Sequence, residues 1–437
     1  MELNGRRVVV IGMARSGIAA VKLLLAKGAI VRAVDEKPKG EVQGITVERQ
    51  TEAAFRDADL IVLSPGVPTD LTELAAARER NIPIIGELEL SAPFLKGKNI
   101  GVTGTNGKTT TTALTGHILR ESGIACQVGG NIGTPPASMV EASRADQWNV
   151  LELSSFQLET IQTFHASIAA CLNVTQNHLD RHHTFDNYKN AKARLFETQG
   201  EDDFAVLNAD DPITVEFARR TPATASWFSS THRVSGAWLD GDVIRLENAE
   251  LLNTRELRLR GRHNYENVMA AALMAQRAGA QPSQIAHAAA TFAPVEHRLE
   301  LVQEIAGVAY YNDSKATSVD ATLKAMDAFP GGLWIILGGK DKDSDYTVLR
   351  DPLRAKAKAA LLIGSAAKKI ASQITDATRV VECGTLAAAV QQASRVASPG
   401  DTVLLAPACA SFDQFENFEQ RGRVFKELVR ALAEGAN

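Results

Sequence analysis

Asn-Ile-Gly-Val-Thr-Gly-Thr-Asn-Gly-Lys-Thr-Thr-Thr-Thr, residues 99–112, joins an apolar strand pattern to a helical pattern through a glycine-bearing turn. Glycines let a backbone wrap closely around phosphate oxygens, and the free N–H groups of a helix start point at them. Lys108 adds a cation, and the Thr109 hydroxyl can ligate Mg²⁺. Gly104, Thr105, Asn106, Gly107, Lys108, Thr109 and Thr110 are therefore expected to cradle the phosphates of a nucleoside triphosphate. The pattern departs from G-x-x-x-x-G-K-[ST] at one place, where Val102 stands for the first glycine. The plain alternative is a glycine turn with an accidental lysine. The order of strand, turn, Lys-Thr and helix argues against it.

Around this stretch, short apolar runs alternate with helical patterns. Arg7–Ile11, residues 30–34 and residues 59–64 read as buried strands, with a helix ending near Gly28. Residues 149–153 and 168–174 read as further strands of a second unit, and residues 188–196 as a helix. Between about 223 and 260 the pattern becomes short and alternating, which predicts a small antiparallel patch. A helix over 265–278, closed by Gly279, follows. A third unit has strands at 333–337, 360–363, 379–382 and 402–405. The expected fold is α/β with three domains, 1–92, 93–296 and 297–437. The first and last are Rossmann-like; the middle one is a P-loop ATPase-type mixed sheet.

The 437 residues carry a net charge of −4, no basic block and only 5% aromatics, which argues against nucleic acid as the main partner. Cys126, Cys171, Cys383 and Cys409 are far apart and form no C-x-x-C pair, which suits free thiols in a reducing cytoplasm. No apolar run reaches the length of a membrane span. Arg15 interrupts the apolar run at 8–11 too early for a signal peptide.

Several clusters carry chemistry. The turn at 12–17 resembles a dinucleotide fingerprint with Ala14 for the middle glycine, and Asp35 ends the next strand where a ribose-binding acid sits. It could be a plain turn, a site for another nucleotide or a nicotinamide site. Glu152 lies in an apolar strand, where a carboxylate needs a metal or a hydrogen-bond network. His178, His182 and His183 match no zinc spacing; one of them near Mg²⁺ or a substrate phosphate competes with a solvated loop. Lys192, by composition, reads as a surface lysine. Polar loops at 310–317, 338–343 and 406–414 follow strands and predict a cleft with cations for an anionic ligand.

Taken together, Thr103–Thr112, Leu151–Glu159, Asn173–Arg181, Asn312–Thr317 and Pro407–Arg421 resemble the Mur ligases over the whole chain. Leu-Glu-Leu-Ser-Ser-Phe-Gln-Leu-Glu, Asn-Asp-Ser-Lys-Ala-Thr and Ser-Phe-Asp-Gln-Phe-Glu-Asn-Phe-Glu-Gln-Arg-Gly are similar to the family's D-glutamate-adding branch. The family carries the shortened glycine pattern, so Val102 is no defect. The resemblance implies an ATP-dependent amide ligase that works through an acyl phosphate in cytoplasmic peptidoglycan precursor synthesis. Its partners would be UDP-N-acetylmuramoyl-L-alanine and D-glutamate, its cofactors ATP, two Mg²⁺ and carbon dioxide held as a lysine carbamate, and its state a monomer.

Carried over by position, Lys108, His178, Lys192 and Lys315 are implied to be catalytic. Thr109 and Glu152 match ligands of one Mg²⁺, His178 a ligand of the second, and Lys192 the carbamylated lysine, which reverses its plain reading. Asn264 and Asn267 match adenine contacts; Arg298, Asp313 and Lys315 match phosphate and ribose contacts. Thr317, Lys342, Ser411 and Phe418 match the D-glutamate pocket. Ser16, Asp35, Glu36, Ser64 and Gly66 match the UDP site, and Asn131 the UDP-sugar side. Arg15, the Asp35-Glu36 pair and Phe412 in place of a leucine depart from the family pattern. A folylpolyglutamate synthase shares the loop but lacks a domain like 1–92. A nucleotide-operated switch or an NAD-dependent dehydrogenase would draw on only part of the motifs.

Overall fold

The computed structural model describes residues 1–247, 249–293 and 296–435. The chain forms two compact units, Met1–Leu257 with Tyr265–Phe292, and Arg258–Asn264 with Ala293–Asn437. Among the described residues three sheets organise them, two in the first unit and one in the second.

The N-terminal sheet has six strands in the order Glu41–Val42, Ile45–Arg49, Ile30–Asp35, Arg7–Ile11, Leu60–Leu63 and Ile84–Gly86. All pairs are parallel except the first. Strand residues alternate between two cores, as period-2 geometry requires. Val8, Val10 and Val62 face a cluster with Leu24, while Val9, Ile11, Ile61 and Leu63 face one with Phe55. Burial on both faces explains the unbroken apolar runs.

The central sheet has nine strands, in the order Ala249–Asn253, Val243–Leu246, Gly236–Asp240, Thr224–Ser229, Phe204–Asn208, Ile168–Cys171, Lys98–Thr103, Trp148–Glu152 and Cys126–Gly130. The antiparallel patch is real but narrower than its sequence suggests. Thr224–Ser229 still pairs in parallel with Phe204–Asn208, and only the three strands from Gly236 to Asn253 run antiparallel to one another. The helix after the patch is Arg262–Arg277, three residues earlier than the apolar pattern marks, because its first turn is polar. Lys98–Thr103 lies between strands 148–152 and 168–171, and Val102 is in register with Glu152. The phosphate loop therefore leaves the sheet at its C-terminal edge beside Glu152, the edge where ligands of open α/β sheets bind.

The sheet of the second unit runs Glu300–Ile305, Val308–Asn312, Thr402–Leu405, Leu333–Gly338, Ala357–Ile363 and Arg379–Gly384. Its last four strands and Val308–Asn312 are parallel; Glu300–Ile305 pairs antiparallel at the edge. This edge strand is absent from the sequence reading, since Glu300, Gln303 and Glu304 leave no apolar run. Leu333, Ile335 and Leu337 pack on one face, Trp334 and Ile336 on the other.

Candidate active site

In the first unit the phosphate loop is built by two glycines that no other residue replaces easily. Gly104 has φ 141° and Gly107 φ 83°. A Cβ on Gly107 would lie 2.3 Å from Asn267 Oδ1, and one on Gly104 3.1 Å from Leu172 Cβ. The loop is also tied sideways. Thr105 N donates to Asn173 O (2.8 Å) and Asn106 N to Asn173 Oδ1 (2.9 Å). Thr105 Oγ1 lies 3.0 Å from the Tyr188 hydroxyl. Helix Lys108–Glu121 starts at Gly107, with Thr109 and Thr110 buried in its first turn.

Lys108 Nζ curls back to donate to Gly104 O and Thr105 O, each at 2.9 Å. Thr109 Oγ1 donates to Glu152 Oε2 at 2.7 Å, and Asn131 Nδ2 to Glu152 Oε1 at 3.1 Å. Glu152 is buried and held in a hydrogen-bond network beside the loop, the second of the two readings given for it. A hydroxyl and a carboxylate at this distance are hard oxygen donors, the kind Mg²⁺ takes. Asn131, assigned by resemblance to the sugar side, stands at this carboxylate, exposed.

Lys192 is not at the surface. It sits on helix Phe185–Glu197 with 1% exposure and donates from Nζ to Gly104 O at 2.8 Å. Its Nζ lies 4.6 Å from the centre of the Tyr188 ring. Burial, helped by the charge of Lys108, pushes its pKa well below that of an ordinary lysine. The neutral amine is the nucleophilic form of lysine. His178 is exposed, at φ 53°, and begins the one-turn helix Leu179–His182; its ring lies 6.4 Å from that of Tyr188. His182, by contrast, is buried with Nε2 3.0 Å from Ser155 Oγ, and His183 reaches Asp70 at 3.1 Å. The three histidines thus separate: His178 and His183 are exposed, and only His182 is packed into the fold.

In the N-terminal sheet, Asp35 and Ser64 brace the glycine turn. Asp35 Oδ2 accepts from Met13 N (2.7 Å) and Oδ1 from Lys37 N (2.9 Å), and Ser64 Oγ donates to Gly12 O (2.6 Å). Ser16 is half-buried at the helix start of this turn; Glu36 and Gly66 are exposed after strands Ile30–Asp35 and Leu60–Leu63, which flank Arg7–Ile11 on either side. Asn267 lies under the phosphate loop and accepts from Thr111 Oγ1 at 3.1 Å.

The second unit brings together its own set. Asp313 is buried, accepts from Leu299 N at 3.3 Å and is pushed up to about 7 by burial, against the pull of Arg298 and Lys315. Lys315 Nζ lies 5.4 Å from the centre of the Phe418 ring, and Thr317 N donates to Lys315 O. Ser411 is buried and Lys342 exposed. Asn264 Nδ2 donates to Arg260 O at 2.7 Å. Arg421, assigned no role in the sequence reading, is the organiser. It is fully buried and donates from Nη2 to Ser314 O (2.8 Å) and Cys409 O (3.2 Å), and from Nε to Ser314 Oγ (3.0 Å). It ties the loop after strand Val308–Asn312 to the loop after strand Thr402–Leu405.

The chain matches three family models: "Mur ligase middle domain" over residues 102–275, "Mur ligase, glutamate ligase domain" over 297–409 and "Mur ligase MurD-like, N-terminal domain" over 6–86. It is 59% identical over 438 residues to the UDP-N-acetylmuramoylalanine--D-glutamate ligase of Solibacter usitatus, covering 99% of both chains. It is 50% identical over 450 residues to the protein of that name from Koribacter versatilis, again covering 99% of each. Among solved structures, UDP-N-acetylmuramate-alanine ligase MurC of Thermotoga maritima matches with TM-score 0.62 at 18% identity, over 98% of this chain and 100% of that one. The MurF ligase of the same organism, solved with ADP, matches with TM-score 0.62 at 17% identity, over 99% and 97%.

Proposed function

The chain belongs to the Mur ligase family, and we propose that it joins D-glutamate to UDP-N-acetylmuramoyl-L-alanine at the expense of ATP, in peptidoglycan precursor synthesis. The observation that carries this is the loop Gly104–Thr109 with Thr109 and Glu152 in contact at its mouth, in a chain 59% identical to a ligase of that name. The acceptor's terminal carboxylate is a poor electrophile. Its oxygen attacks the γ-phosphorus of ATP, the bond to the ADP oxygen breaks, and an acyl phosphate results. The amine of D-glutamate then adds to the carbonyl carbon, loses a proton, and phosphate leaves as the amide forms.

For such chemistry a protein mainly positions groups and spreads charge. Lys108 and the N–H groups of the loop hold the β- and γ-phosphates. Arg298, Asp313 and Lys315 match the family's phosphate and ribose contacts, and Asn264 and Asn267 its adenine contacts. Thr317, Lys342, Ser411 and Phe418 receive D-glutamate. Ser16, Asp35, Glu36, Ser64, Gly66 and Asn131 receive the UDP-sugar. Thr109 and Glu152 would hold one Mg²⁺, and His178 with a carbamylated Lys192 a second; bound there, the ions neutralise phosphate charge. The buried amine of Lys192 supports the carbamate. We place the enzyme in the cytoplasm, a location supported by four free cysteines spread along the chain; among the described residues no helix is long and apolar enough to cross a membrane.

The test is phosphate release by the pure protein with ATP, Mg²⁺ and UDP-N-acetylmuramoyl-L-alanine against a panel of D- and L-amino acids. Release is expected with D-glutamate alone. Brisk hydrolysis without acceptor, or preference for another amino acid, would overturn the proposal.

A further inference from the structure

The one-turn helix that presents His178 cannot hold itself. Leu179–His182 is four residues long, and isolated helices of that length do not form. It is flanked by two non-glycine residues with positive φ, His178 at 53° and His183 at 63°. Each such residue costs roughly 1–2 kcal/mol. Something outside the turn must fix it.

That support is on the segment that also carries Glu152. Strand Trp148–Glu152 runs into helix Ser155–Leu158, whose N-terminus is locked by a reciprocal Ser154–Gln157 capping box. Glu159 closes that helix. Its Oε2 accepts from Arg181 Nη2 at 2.7 Å, and its Oε1 lies 3.1 Å from His182 Nδ1. The side chains of Glu159, Arg181 and His182 are only 15%, 11% and 2% exposed, so the pairing is poorly screened. Phe156, on the same short helix, stacks on His182 (ring centres 5.5 Å apart), lies under the Arg181 guanidinium (5.2 Å) and meets the His178 ring edge-on at 4.9 Å. One carboxylate thus grips two consecutive residues of the turn, and the aromatic ring beside it touches the histidine in front of them.

We infer that Glu159 is a positioning residue: by holding Arg181 and His182 it fixes the left-handed turn that sets the His178 imidazole against Phe156, facing the phosphate-loop site. This inference rests on the proposed working role of His178. Residues behind a working group commonly matter about 10- to 100-fold. The coupling has a structural logic. The strand that supplies Glu152 continues into the clamp, so the loop carboxylate and the histidine share one rigid support.

The test compares Glu159→Gln, Glu159→Asp and His178→Gln in the full-length enzyme. It uses steady-state phosphate release, thermal melting, and the ring signals of ¹⁵N-histidine-labelled protein, with the His178 signal assigned by its loss in His178→Gln. Glu159→Gln is expected to lower kcat about 10- to 100-fold, leave KM for ATP within about twofold, and shift or broaden the His178 ring signal. Glu159→Asp should recover part of both. Should Glu159→Gln fail to fold, Arg181→Gln removes the charge of the same pair from the other side and is read in the same way. A crippled His178→Gln beside a Glu159→Gln with full kcat, or with an unmoved His178 signal, overturns the positioning role alone. Full activity in His178→Gln overturns the role of His178 itself, and that of Glu159 with it.

Discussion

Replacing Lys192 separates packing from chemistry, and the structure gives the size of each. Lys192→Ala removes three buried methylenes, at about 0.8 kcal/mol each, and the hydrogen bond to Gly104 O, at about 1 kcal/mol. The loss in stability is about 3 kcal/mol, below the 5–15 kcal/mol typical of folded proteins. Gly104 O is not orphaned, because Lys108 Nζ still donates to it at 2.9 Å. The variant should therefore fold. Lys192→Met keeps most of the side-chain volume and should cost less still. Both remove the amine that carbon dioxide would convert to a carbamate, and losing one preorganised charged group at a phosphoryl-transfer site costs about 10²–10³ in kcat. The assay is D-glutamate-dependent phosphate release, alone and with added acetate or formate. Small carboxylates should restore part of the activity in Lys192→Ala, where the side chain leaves room, and little in Lys192→Met. Carbon-13 labelled bicarbonate should give a carbamate resonance in the unaltered protein and none in either variant. Full kcat in Lys192→Met would refute the role, and so would the absence of a carbamate resonance.

Two other perturbations follow from single contacts. Gly107→Ala places a methyl 2.3 Å from Asn267 Oδ1 at φ 83°, so affinity for an ATP analogue, measured by calorimetry, should fall more than about tenfold; unchanged affinity would show that the loop does not hold the phosphates as built. Glu87 is 1% exposed, its Oε1 accepts from Ala137 N, its Oε2 is buried without a partner, and burial pushes its carboxyl up to about 8. The folded chain then binds this proton more tightly than the unfolded chain, so its contribution to stability is complete below about pH 4.5 and is lost as pH rises through about 8, by up to about 1.4 kcal/mol per pH unit. Glu87→Gln should flatten this part of the pH dependence of urea denaturation; an identical slope in the variant would contradict it.

The phosphate loop was legible because its backbone demands glycine at fixed places and a lysine and hydroxyl after them. The parallel strands were legible because burial on both faces leaves unbroken apolar runs such as Leu60–Leu63. The edge strand Glu300–Ile305 was not, since one face of it is wet and its residues are mostly half-buried. Lys192 and Arg421 escaped a plain reading for one shared reason. Each stands at an apolar position of an amphipathic helix: Lys192 follows Tyr188 by four and precedes Phe196 by four, and Arg421 follows Phe418 by three and precedes Phe425 by four. Tyr188, Phe196 and Phe425 are buried, and the cation is buried with them. A lysine or arginine on such a stripe is the signal available in the sequence; composition alone dismisses it as solvated. Asp35 has a second job that its position does not announce: a strand-end acid suggests a ribose, and its two oxygens also brace the turn by accepting from Met13 N and Lys37 N.

Binding of an ATP analogue with Mg²⁺, compared between the unaltered chain and Lys108→Ala with product formation followed in parallel, addresses the phosphate loop most directly. Affinity should drop at least about tenfold in the variant, one lost charge-assisted contact being worth roughly 1.5–3 kcal/mol, and amide synthesis should vanish with it. Equal affinity and undiminished synthesis in Lys108→Ala would mean that Gly104–Thr109 does not grip the nucleotide whose phosphate activates the acceptor acid.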